Sequence, residues 1–144
     1  MALLKVADVP ATTVAKNATV IEAVAAMEKN RVGAIAVVEQ GLLKGIFTER
    51  DVMLRVVLAR RNPETTTMSE VMTAAVQTVP ADTSPNEALV IMVEKHIRHL
   101  PIAAADGRIL GMLSIRNLLQ RRVEDLSHEL ESVDAYLTAD GIGG

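Results

Sequence analysis

The chain has 144 residues, of which 49% are apolar, and a formal net charge of −3 at pH 7; that is enough for one compact domain or two small ones that share a core. It holds one Phe (Phe47), one Tyr (Tyr136), no Trp and no Cys, which excludes disulfides, thiol catalysis, cysteine-ligated zinc and aromatic stacking platforms for bases. The acidic balance argues against a nucleic-acid partner. The absence of a charged, apolar leader at the start, and a longest apolar run of only Val32 to Val38, predict a cytoplasmic protein with no membrane partner.

In chain order, a short strand over Thr12–Ala15 precedes a helix that opens on the capping pair Thr19 and Glu22. Val20, Val24 and Met27 supply its apolar face. The apolar run Ala34–Val38 reads as a strand covered on both faces, and a turn at Glu39-Gln40-Gly41 leads to a second strand, Leu42–Phe47. A second helix starts at Thr48. After the linker Arg61–Thr67 and a short helix at Met68–Met72, the pattern returns. Val76–Val79 is the strand, and Ser84, Pro85 and Glu87 open the helix whose apolar face is Leu89, Met92 and Val93. Leu100–Ala104 and Ile109–Leu113 are the paired strands, and Ser114 starts the last helix. Thr19–Ala23 recurs 65 residues later as Ser84–Ala88, and Gly45 recurs 66 residues later as Gly111, after one added residue in the turn 105–108. Two copies of one β-α-β-β-α unit are expected, in an α/β (α+β) fold. The divisions are a first repeat at 3–61, a linker at 62–67, a second repeat at 68–122, an extended amphipathic C-terminal helix at 118–137 and a flexible tail at 138–144.

In that last helix Leu119, Val123, Leu126, Leu130, Val133 and Leu137 step by four and three, the spacing of a coiled-coil seam. The stripe either meets a partner helix or packs back on its own chain.

Phe47-Thr48-Glu49-Arg50-Asp51 after Gly45, Arg98-His99-Leu100-Pro101-Ile102 before Gly111-Met112-Leu113-Ser114-Ile115, and Met72-Thr73 resemble motifs of cystathionine-β-synthase-type (CBS) domains. The resemblance covers residues 3–122. It implies a tandem pair folded around a pseudo-twofold axis (a Bateman module) that commonly forms a homodimer. The resemblance implies that the cleft between its repeats can bind an adenosine-containing ligand such as AMP, ADP, ATP, NAD(H) or S-adenosylmethionine. A role in regulating an as yet unnamed partner protein is implied too, with no required cofactor.

Thr48 and Asp51 suit ribose recognition, because a carboxylate accepts hydrogen bonds from two vicinal hydroxyls, and a helix N-terminus holds phosphate. Thr-x-x-Asp is equally an ordinary helix cap. Val14 and Val79 are expected beside adenine, and Gly45 and Gly111 are expected to permit close approach. In the second copy Ser114 and Asn117 take the places of Thr48 and Asp51. The family usually carries Asp where Asn117 stands, so that half-site is expected to be the weaker. Arg98 and His99, opposite Gly33 and Ala34 of the first copy, are candidates for ligand phosphates, as are Arg50 and Arg116; the alternatives are a core histidine and solvated charges. Arg31 reads as a surface charge at a helix end. His96 and His99 lack a carboxylate at metal-ligand spacing, and nothing marks a tuned acid–base pair. The expectation is therefore no metal, no catalytic residue and no enzyme. The competing reading is a homodimeric scaffold whose cleft holds no ligand.

Overall fold

The computed structural model describes residues 3–137; the tail expected at 138–144 lies outside them. The elements are β1 (Thr13–Ala15), α1 (Val20–Asn30), β2 (Ala34–Glu39), β3 (Leu42–Thr48), α2 (Glu49–Asp51, continued as a π-helix over Val52–Val57), α3 (Met68–Val71), α4 (Pro85–Lys95), β4 (His99–Ala103), β5 (Ile109–Ser114) and α5 (Ile115–Leu137). β1 pairs parallel with β2, which pairs antiparallel with β3; β4 and β5 form a second antiparallel ladder. This is a mixed α/β fold of two repeats.

Local chemistry sets the element ends. Thr19 Oγ1 accepts from Glu22 N at 3.2 Å, and Ser84 Oγ accepts from Glu87 N at 3.1 Å, each satisfying a free amide of a first turn. Pro85 stands at the start of α4, where its missing N–H costs nothing. Both helices end on a left-handed residue, Arg31 (φ 53°) and His96 (φ 56°). Gln40 and Gly41 both have positive φ, as the two-residue hairpin between β2 and β3 requires.

β2 shows how the core divides. Ile35 and Val37 point into one cluster with Val20, Ala23, Met27 and Phe47. Ala34 and Ala36, on the other face, meet Ile46 of β3 and Met112 of the second repeat. The small alanines let the two sheets approach closely. Leu100, Ile102, Leu113, Ala88 and Met92 fill the second repeat's own core. On α4 the expected apolar face is rotated: Met92 is buried, but Val93 is 62% exposed.

The strand expected at Val76–Val79 does not form. Only Val79 bridges, to Ile102, at the place where Val14 meets Val37 in the first repeat. In the first repeat Ala36 N donates to Thr12 O at 3.0 Å. The residue matching Ala36 is Pro101, which has no N–H, so the ladder stops at one residue.

The repeats also exchange their leading segments. Leu3 is fully buried in the second repeat's core, and Asp8 bridges Met112 of β5. The matching residues Met68 and Thr73 enter the first repeat: Met68 is buried in its core and Thr73 bridges Ile46 of β3. By packing, each repeat is completed by the segment that precedes the other.

Candidate functional site

The exchange explains Gly45 and Gly111. A Cβ on Gly45 would lie 2.5 Å from Met72 Sδ and 3.0 Å from Thr73 O, and one on Gly111 would lie 3.1 Å from Asp8 O. The close approach expected at both glycines is thus made by the other repeat's leading segment.

Between the repeats lies a cleft of about 730 Å³, within the range of small-molecule sites. One wall is the β3–α2 junction, with Thr48, Glu49, Arg50 and Asp51, followed by Met53 and Leu54. The other is built from the second repeat: Ala75–Gln77 and His96–His99. Five expected site residues, Thr48, Arg50, Asp51, Arg98 and His99, therefore face one space although 50 residues of chain separate the first from the fourth.

Thr48 and Asp51 form a reciprocal cap. Asp51 Oδ2 accepts from Thr48 N at 3.0 Å, and Asp51 N donates to Thr48 Oγ1 at 3.2 Å. Asp51 Oδ1 stands 3.6 Å from Arg55 Nε. Arg55 in turn donates to the carbonyls of Val71 and Met72, tying α2 to α3. The cap and the cleft wall are thus the same residues, and the two readings of Thr-x-x-Asp are compatible.

Ser114 and Asn117 repeat the cap at the start of α5. Asn117 Oδ1 accepts from Ser114 N at 2.9 Å and from Ser114 Oγ at 2.7 Å, and Asn117 N donates to Ser114 Oγ at 3.1 Å. These residues and Arg116 do not line the cleft around Asp51. The structure therefore places the ten expected site residues in separate groups.

Neither Val14 nor Val79 lines this cleft. Val79 is 4% exposed, inside the second repeat's core. Val14 lines a different concavity of about 690 Å³ beside β1, with Lys16, Glu39 and Ser69. Val76, three residues before Val79, is among the apolar residues that do line the cleft, with Met53, Leu54 and Ile97. Because the second copy's strand is cut short by Pro101, residues 75–77 are free to turn into the cleft. The sequence signal for Val76 is its place three residues after Thr73 of the Met72-Thr73 motif. Glu49, Leu54 and His96 also line the cleft without having been expected there.

Gly33 has a specific role. A Cβ there would lie 3.2 Å from His99 Nε2 and would collide with the Glu49 carboxylate. Glycine therefore admits both side chains where Arg98, its counterpart, offers a charge in the second repeat. Burial pushes the His99 imidazole below its ordinary value; Glu49 opposes this, Arg98 adds to it and Asp8 opposes it. Glu49 comes from the first repeat and Asp8 from the leading segment on the second, so His99 stands between charges of both halves. Burial thus favours the neutral ring.

Among the described residues no cluster of His, Cys, Asp and Glu is arranged to hold a metal ion, and no helix is long and apolar enough to cross a membrane.

Comparison with known proteins gives the same picture. The family described as CBS domain matches twice, over residues 6–58 and 68–124. The CBS domain-containing protein YhcV of Bacillus subtilis is 37% identical over 117 residues, covering 81% of this chain and 80% of that protein. A mitochondrial relative from Arabidopsis thaliana, CBS domain-containing protein CBSX3, is 35% identical over 83% of this chain, which spans only 60% of that relative's length. Among solved structures, a putative signal-transduction protein with CBS domains from Burkholderia ambifaria matches with a TM-score of 0.78 and 31% identity, over 87% of this chain and 96% of that one. The CBS domain pair of protein MJ0100, in complex with 5'-methylthioadenosine and S-adenosyl-L-methionine, shares the fold with a TM-score of 0.74 and 22% identity, over 83% and 98% of the two chains. CBS domains are generally regulatory and non-catalytic modules. Two repeats with one cap motif, exchanged leading segments and a cleft between them place this chain in the CBS-domain family, as a tandem CBS pair.

Proposed function

We propose that this CBS pair is a cytoplasmic regulatory module that binds an adenosine-containing nucleotide in the cleft around Asp51 and transmits occupancy to a partner protein. It catalyses no reaction. The observation that carries this reading is the convergence of an acidic cap from one repeat with a cation from the other: Thr48 and Asp51 on one wall, Arg98 and His99 on the opposite one. Asp51 suits the ribose hydroxyls, Val76 and Leu54 the adenine, and Arg98, Arg50 and His99 the phosphates. The MJ0100 pair supports the adenosine part, since both of its ligands carry that group. AMP, ADP, ATP, NAD(H) and S-adenosylmethionine all present the same handle. The half-site at Ser114, Arg116 and Asn117 is the weaker one, because Asn117 lacks the charge that strengthens hydrogen bonds from hydroxyls. Two copies pair as a homodimer; exposed Val57 and Leu58, at 69% and 72% exposure, are apolar surface suited to such a contact.

A scaffold without ligand is the second reading. One observation favours it: both caps are satisfied within the protein, so neither needs a nucleotide.

Thermal unfolding with AMP, ADP, ATP, NADH and S-adenosylmethionine in turn separates the two. A ligand that binds only the folded state stabilises it by about 2.7 kcal/mol at a hundred times its Kd. A shift with one ligand, lost in Asp51→Ala, supports sensing. No shift with any of the five at millimolar concentration supports the scaffold.

A further inference from the structure

α5 leaves the body of the protein early. Leu118 is buried, but Leu119, Val123, Leu126, Leu130, Val133 and Leu137 are between 47% and 66% exposed. The stripe thus does not pack back on its own chain. Its spacing assigns Leu119, Leu126 and Val133 to the d positions of a heptad and Val123, Leu130 and Leu137 to the a positions. The flanking g positions are then Arg122 and Glu129, and the e positions are Gln120, Ser127 and Asp134.

These flanks discriminate between orientations. In a parallel pair each g residue faces the e residue five positions later on the other helix. Glu129 would then oppose the partner's Asp134 on both sides of the seam, and Arg122 would face the partner's Ser127, which carries no compensating charge. In an antiparallel pair g faces g and e faces e. The register that stacks Val123 on the partner's Leu126, and Leu119 on the partner's Leu130, brings Arg122 against the partner's Glu129 twice, by symmetry. Gln120 then meets the partner's Ser127, a neutral contact. That register covers Leu119, Val123, Leu126 and Leu130, the four seam residues nearest the body, and leaves Val133 and Leu137 outside the paired segment.

We propose that α5 pairs with α5 of a second copy of this chain as an antiparallel two-helix seam in this register. The proposal rests on the pairing of two copies put forward above and is independent of nucleotide binding in the cleft.

The chain has no cysteine, so introduced thiols report geometry without background. In full-length protein, oxidation of a mixture of Leu119→Cys and Leu130→Cys is expected to give the mixed disulfide dimer, whereas Leu130→Cys alone gives little product. Efficient self-linking of Leu130→Cys without the mixed product would overturn the antiparallel arrangement. Sedimentation velocity on the unmodified chain supplies the control. A dimer that gives no cross-link in either experiment would overturn the helix pairing and leave dimerisation through another face standing; a monomer would overturn both. Charge reversal tests the register separately. Glu129→Arg should weaken the dimer about three- to tenfold by placing like charges together at two sites, and adding Arg122→Glu should restore it. A dimer strengthened by Glu129→Arg alone is the parallel result, since Arg would then face the partner's Asp134, and it would refute the proposal.

Discussion

Asp51→Asn isolates the charge of the candidate ribose group from its structural task, because the second repeat already performs the experiment on folding. Asn117 makes the same cap with Ser114, at 2.9 and 3.1 Å, that Asp51 makes with Thr48, at 3.0 and 3.2 Å. The variant therefore keeps the cap. It loses the 3.6 Å pairing with Arg55, whose side chain is 47% exposed, worth about 0–1 kcal/mol. It also loses a carboxylate at a helix start, worth about 0.3–1 kcal/mol. The fall in stability should stay near 1 kcal/mol. Binding should suffer more. Hydrogen bonds to a charged group contribute about 1.5–3 kcal/mol against about 0.5–1.5 for neutral pairs. With two ribose hydroxyls on one carboxylate, affinity should drop by about 2–3 kcal/mol, or roughly 30- to 150-fold. Isothermal titration with whichever nucleotide stabilises the wild type, beside urea unfolding of both proteins, reads the two effects separately. Unchanged affinity with the small stability loss would refute the reasoning: the carboxylate would then be a cap and nothing more.

Particular contacts lead to four more outcomes. His99 takes its proton near pH 6.5 in the unfolded chain and at lower pH when folded, because of burial. Its contribution is full above pH 6.5 and is lost as pH falls from there toward the folded value. His99→Gln should flatten this acid-side slope in thermal unfolding, and an unchanged slope would assign it to other groups. If phosphate sits beside His99, its charge favours the protonated ring, so a phosphorylated ligand should bind more tightly at pH 6 than at pH 8, with proton uptake measurable by titration in buffers of different ionisation enthalpy. Gly45→Ala should cost about 1–3 kcal/mol, since the new methyl meets Met72 and the Thr73 carbonyl that accepts from Ile46 N at 3.0 Å; an unaltered urea midpoint would show that the exchanged segment yields freely. Arg31→Gly should stabilise by about 0.5–1 kcal/mol, because φ 53° suits glycine better than arginine, and a loss of stability would show that the arginine side chain contributes more than the strain it carries.

Much of the architecture was legible because it rests on local rules applied twice. Thr19 and Ser84 cap their helices, Gln40-Gly41 makes its hairpin, and β2–β3 and β4–β5 lie close to where apolar runs and turns put them. The motif residues Thr48, Arg50, Asp51, Arg98 and His99 share one cleft, although no sequence spacing brings the first three to the last two. Other features depend on contacts between distant residues. Val76–Val79 reads as a strand by composition, yet its ladder needs an N–H that Pro101 cannot supply. Val79 looked available for a ligand, but the core beneath α4 absorbs it, and Val76 takes the cleft wall.

The caps, the seam spacing on α5, the difference between Asp51 and Asn117 and the recurrence of one short pattern can be read from the chain alone, because each rests on residue type within a few positions. Tertiary structure alone decided that Leu3–Asp8 completes the second repeat and Met68–Thr73 the first, that the glycines 45 and 111 admit those segments, and that the α5 stripe stands clear of its own chain. Those outcomes turn on which surfaces meet across the pseudo-twofold axis. Burial is settled there by pairs of residues from 27 (Ile46 and Thr73) to 104 (Asp8 and Met112) positions apart, separations over which no local periodicity carries information.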